Sequence, residues 1–199
     1  AVAVRALDRP DIATAAERAL DLLSDHHWRG DRLLATSRSG PARLPAYLDD
    51  HALLIDAILT LCTVSFDAAW LAFATQLADA LLDRFEDREH GGFFFTAHDH
   101  EALIHRSRSF HDDALPSGNA IAATALQRLG WLLAEPRYLL AAERTLRAAW
   151  PSLAESPLGQ VHMATALEEH LQPHEFIVLR GEAGPMDIWR RELQRMWRP

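Results

Sequence analysis

The sequence has no lysine, and all 20 of its basic residues are arginine. Against 28 acidic residues they leave a net charge of -8 with histidine neutral. No basic stripe stands out, so the electrostatic footprint of a nucleic-acid binder is missing. Cysteine is nearly absent as well. The single Cys62 rules out an internal disulfide and sits in an apolar helical run, where free cysteines ordinarily just pack. This fits a reducing, cytoplasmic compartment. No apolar run approaches the ~20 residues that span a bilayer, so no membrane segment is expected. The opening AVAVRALDRP has no signal-peptide layout and no initiating methionine. The chain reads as a piece of something longer.

What is present is apolar and periodic. Of the 199 residues, 49% are hydrophobic, enough for one core. Internal similarity is the strongest signal. The stretches from Asp11, Trp70 and Tyr138 align without gaps, so Ile12, Trp70 and Tyr138 coincide, as do Ala16, Ala74 and Ala142. A second set starts at His51, Asn119 and Gln160 and matches Ala57 with Ala125 and Ala166. Both sets carry apolar residues at three- and four-residue steps, which is a helical period. The second set is more apolar in its first turns and is expected to be the more buried.

The spacing predicts a mostly α chain of stacked antiparallel helical hairpins over residues 1–172. Short links join the second set to the first, and long links lead the other way. Long loops therefore gather at one end, where function usually resides. Within the longest, GGFFFTA and ALIHRS read as a small β-hairpin with its turn near HDHE. Residues 173–199 read as a strand-helix tail, with the strand at Glu175 to Leu179 and Pro185 opening the helix.

Polar chemistry is crowded at the starts of the second set. His51, Asn119 and Gln160 fall at one aligned position, and helix N-termini carry free N–H groups and partial positive charge. Tyr47, Asp49 and Asp50 precede His51, while His111, Asp112, Asp113 and Ser117 precede Asn119. Ser117 and Asp49 can be ordinary caps. One helix needs one cap, so the whole cluster is expected to contact a small polar ligand, a sugar among the candidates. Two carboxylates held roughly 5–9 Å apart could do acid–base work at a sugar, and Asp50 with Asp112 is the pair to consider. Arg106 and Arg108 lie two apart on one strand face. They could hold a carboxylate or phosphate, or pair with Asp112. The histidines of HDHEALIH match no zinc spacing, so neither metal nor cofactor is expected. Phe93 to Phe95 read as core more than as sugar-stacking rings.

At LDDHALLIDAILTL, at HGGFFFTAHDHEALIHRSRSFHDDALPSGNAIAATALQRLG and at HEFIVLRGE, the chain resembles a known family. It is similar to the C-terminal part of the thioredoxin-domain-containing, spermatogenesis-associated (YyaL-like) proteins. The resemblance implies part of an (α/α)6 toroid, like that of N-acylglucosamine 2-epimerases and six-hairpin glycosidases. About three hairpins are present, and no Cys-x-x-Cys occurs, so redox activity does not carry over. The family's Asp-Gly pair is Asp112-Asp113 here, and its lysine near Arg108 is arginine. Asp113 lacks the freedom of glycine to take positive φ. Half a toroid would expose apolar helix flanks, which implies self-association or cover by the remainder of a longer chain. Two functions follow as expectations. One is a carbohydrate-binding or carbohydrate-processing fragment that is not catalytic alone. The other is a non-catalytic scaffold or partner-binding domain of a larger thioredoxin-like protein.

Overall fold

Both aligned sets of apolar repeats fold as helices in the computed structural model, which describes residues 2–7, 9–101, 103–173 and 175–196. In chain order they are α1 (Val2–Leu7), α2 (Pro10–Leu22) and a π-helical turn (Leu23–His27), then strands β1 (Trp28–Arg29), β2 (Arg32–Thr36) and β3 (Arg43–Pro45). There follow α3 (Leu48–Cys62), α4 (Ala68–Arg84), α5 (Gly118–Leu133), α6 (Pro136–Glu155), a 3-10 turn (Pro157–Gly159), α7 (Val161–Leu171) and α8 (Ala183–Met196). The first repeat set is α2, α4 and α6, and the second is α3, α5 and α7. Local chemistry sets their ends. Pro10 and Pro136 open α2 and α6, where a missing N–H costs nothing. Asp67 caps α4 by accepting from the Ala69 N–H at 2.7 Å. Ala134 takes a left-handed conformation and stops α5, so α6 begins two residues later.

The inner helices α3, α5 and α7 lie side by side, and α4 and α6 cover them. α5 is central, packing on α3, α6 and α7. Small residues make that possible: Ala120, Ala122, Ala123 and Ala125 are fully buried, so neighbouring backbones come close. Leu126 and Leu129 fill the remaining space, each burial being worth about 1.5–3 kcal/mol. Arg128 of α5 joins all three inner helices, donating to Asp56 of α3 at 3.0 Å and to Glu169 of α7 at 3.0 Å. Its neighbour in sequence, Gln127, donates to the Ala166 carbonyl at 3.1 Å, and its side-chain oxygen meets His170 Nδ1 at 2.9 Å.

The links differ from expectation in two places. The first long link, not the second, carries the sheet: β1, β2 and β3 form an antiparallel order β1-β2-β3. Gly30 and Asp31 make the two-residue turn between Arg29 and Arg32, with Gly30 at φ +67°. Trp28 of β1 packs edge-on against Phe73 of α4 at 5.6 Å. The second link, expected to hold a hairpin, is an irregular loop. It is pinned by a single bridge between Glu86 and Phe93, by Phe95 N–H to the Ser107 carbonyl at 2.8 Å, and by Leu48 N–H to the Phe95 carbonyl at 3.0 Å. Consecutive positive φ at Gly91 and Gly92 turns the chain just before Phe93, so Phe93 pairs back toward α4 instead of starting a ribbon. The expected tail strand is also not formed: among the described residues, Glu175 to Leu179 pair with no strand, whereas α8 forms with Pro185 in its first turn. Among the described residues, no helix is long and apolar enough to cross a membrane.

Candidate functional site

The loop end of the inner helices is held by aspartates that cap backbone. Asp50, in the first turn of α3, accepts from the Tyr47 N–H at 2.8 Å. Asp112 spans two helices. One of its oxygens accepts from the Ser117 N–H at 2.9 Å, and the other accepts from the His162 N–H of α7 at 3.0 Å, with His162 Nδ1 at 3.2 Å. Burial alone would raise its pKa, but the two amides and the His162 ring together hold it below the ordinary carboxylate value. The two carboxylates weighed as a catalytic pair are thus bound to backbone, and neither lines the cleft described below. Among the described residues, Asp112 meets no arginine. Ser117 precedes α5 as expected, yet its hydroxyl does not cap. It donates to the Ser109 carbonyl at 3.2 Å.

The three aligned polar residues are internal braces. His51 is buried, its Nδ1 is 2.8 Å from the Tyr47 carbonyl, and its ring leans on Phe85 at 4.9 Å. Burial pushes its pKa down, outweighing the Tyr47 carbonyl and Asp50. Asn119 clamps the loop. It accepts from the Phe93 N–H at 2.7 Å and donates to the carbonyls of Phe93 at 2.9 Å and Ser109 at 3.0 Å. Gln160 is fully buried just ahead of α7 and accepts from the Ser152 hydroxyl at 3.3 Å. The arginines turn away too. Arg106 donates to the Thr96 and Arg84 carbonyls and lies over the Phe94 ring at 4.2 Å. Arg108 pairs with Asp87 at 2.7 Å, not with Asp112.

Between these braces lies a cleft of about 390 Å³. Asp49, His111, Asp113, Ser117 and Asn119 line it as foreseen; Tyr47, His51, Arg106, Arg108 and Gln160 do not. Tyr47 supports the wall indirectly, stacking on Phe95 at 4.7 Å and 8°. Phe95 itself lines the cleft and is 38% exposed, while Phe93 is core. Ser107 and Ser109 complete the polar wall. Their signal was present: in RSRS, a two-residue alternation that turns Arg106 and Arg108 one way turns both serines the other. Asp113 does not take positive φ, so the residue that replaces glycine here needs no strained backbone.

Asp49, like the more exposed Asp113, has no structural task among the described residues. It is half-buried, and no other described residue reaches its carboxyl with a hydrogen bond or ion pair. Burial raises its pKa, and the charge of Asp50 adds to the rise. The carboxyl sits hard against the start of α5: a Cβ at Gly118 would lie 1.9 Å from Asp49 Oδ1. Glycine at that position is what lets the acid approach. A carboxyl so placed can accept hydrogen bonds from a ligand or lend it a proton. Cys62 ends α3 far along the chain from this group, and burial raises its pKa, so it stays a thiol. Among the described residues, no three His, Cys, Asp or Glu side chains are grouped to hold a metal ion.

No family model matches the chain. Curated relatives do. Spermatogenesis-associated protein 20 of Homo sapiens is 27% identical over 165 residues, covering 78% of this chain and 21% of the human protein. The protein of the same name from Rattus norvegicus is 28% identical over 142 residues, covering 71% of this chain and 18% of its own length. That of Mus musculus is 27% identical over 142 residues. The chain spans about a fifth of the length of these relatives, and over most of its own length it is similar to spermatogenesis-associated protein 20.

Proposed function

We propose that the chain is an arc of an α/α toroid of the spermatogenesis-associated, thioredoxin-domain-containing kind, and that its cleft binds a carbohydrate or similar small polyol without turning it over alone. The observation that carries this reading is Asp49: a half-buried, unpartnered carboxyl sharing its cleft with the exposed Phe95 and with serines. An apolar platform with a few convergent polar groups is the usual form of a small-molecule site. Alternating inner and outer helices with long loops at one end support the toroid. Support for the absence of turnover comes from Asp50 and Asp112, the pair weighed for acid–base work, and not from Asp49 and Asp113, the acids that do line the cleft. Glycoside hydrolysis needs two working acids, and Asp50 and Asp112 are committed to helix starts. Calorimetric titration with a panel of mono- and disaccharides tests the reading. Binding by the native chain and its loss in Asp49→Asn are expected. Turnover of any sugar would contradict the non-catalytic part, and binding that ignores Asp49→Asn would remove its basis.

A second reading, a partner-binding scaffold, is favoured by a separate groove of about 410 Å³ between α6 and α7. Trp150, Leu153, Leu167 and Leu171 line it, and Trp150 is 55% exposed. Such a patch is usually covered. Self-association through it predicts a concentration-dependent mass by light scattering that Trp150→Glu abolishes. A strict monomer would leave the remainder of a longer chain as the cover.

A further inference from the structure

Every helix start beside the cleft already holds an aspartate. Asp50 takes the Tyr47 amide, Asp112 takes the amides of Ser117 and His162, and Asp49 lies against Gly118. Negative charge therefore already stands beside the positive helix ends that would otherwise draw an anion. The two arginines of the loop are spent elsewhere, Arg106 on the Thr96 and Arg84 carbonyls and Arg108 on Asp87. Of the lining side chains, Asp49 and Asp113 carry acid groups, and His111 alone can carry positive charge. What faces a ligand is an aromatic ring, hydroxyls, the His111 ring and carboxylates.

From this we infer that the site, read as a sugar site as proposed above, accepts neutral and amino sugars and excludes phosphorylated or acidic ones. An ammonium on the ligand meets the unpartnered Asp49 carboxyl. A phosphate meets the same carboxyl with no guanidinium to offset it, and like-charge juxtaposition is the stronger discriminator. The inference concerns the class of ligand, so it can fail while the sugar reading stands.

The test is a titration of the full chain with glucose, glucosamine and glucose 6-phosphate at neutral pH and low salt, repeated with Asp49→Asn. Glucosamine is expected to bind tightest, and glucose 6-phosphate at least about tenfold more weakly than glucose. Asp49→Asn should erase the advantage of glucosamine over glucose, and added salt should shrink it in the native chain. Glucose 6-phosphate binding as well as glucose would overturn the inference and leave the sugar site intact. A glucosamine preference unchanged in Asp49→Asn would overturn it as well. No binding by any of the three would overturn the sugar reading itself and this inference with it.

Discussion

Asp112 and Asp49 are both aspartates of the loop end, and their surroundings set them opposite tasks. Asp112 is paired at both oxygens and bridges the starts of α5 and α7. Replacing it with Asn removes the charge and sets an amide group against one of two backbone N–H donors. The expected loss is about 2 kcal/mol of stability at pH 7, measurable by urea unfolding. Its carboxyl is held below the ordinary value of 3.8, so the unfolded chain binds the proton more readily than the fold does. The contribution is therefore complete above the unfolded value and lost as pH falls through the folded one. Melting curves of the native chain and Asp112→Asn should differ at pH 7 and converge below both values. Gly118→Ala tests the other aspartate. A Cβ 1.9 Å from Asp49 Oδ1 must drive that carboxyl aside, with Leu48 Cγ also close at 3.1 Å. Folding should survive with a loss of about 1–2 kcal/mol, the usual cost of overpacking, while ligand affinity falls by at least tenfold. Affinity unchanged in a folded Gly118→Ala would separate Asp49 from the site.

Among elements, α5 and α7 are joined twice, by Asp112 at the loops and by Arg128 farther along, and Arg128 also reaches α3. Arg128→Ala leaves Glu169, nearly buried, and Asp56 without their shared cation. The expected cost is about 3 kcal/mol, at the low end for a broken buried pair because Arg128 is partly exposed. Chemical denaturation checks it, and a change under 1 kcal/mol would show that packing alone holds the three helices. The helices themselves were legible because a three- and four-residue period repeats over eleven to twenty residues in each of them. The strands were not. β1 and β3 span two and three residues, too few for a period of two to declare itself, and only the Gly30-Asp31 turn signalled them. The Phe93 to Phe95 run looked like a strand because its residues favour one, but the double-glycine turn before it decides otherwise. At the cleft, sequence placed the right segments together without telling a cap from a contact. Asp49 and Asp50 are neighbours, and only the direction of each side chain, set by the turn of α3, separates the free acid from the capping one.

For the whole molecule, two surfaces follow from one arrangement. Stacking inner helices under long loops makes the polar cleft at one end, and α6 with α7 frames the apolar groove. The central claim is that the first of these is a ligand site. Amide chemical shifts of the labelled chain, followed during titration with glucosamine, test it directly. Shifts that saturate and centre on Gly118, Asn119, Ser107 and Ser109, and that vanish in Asp49→Asn, are the predicted result. No saturable shift there, or shifts centred on the Trp150 and Leu171 groove, would contradict it.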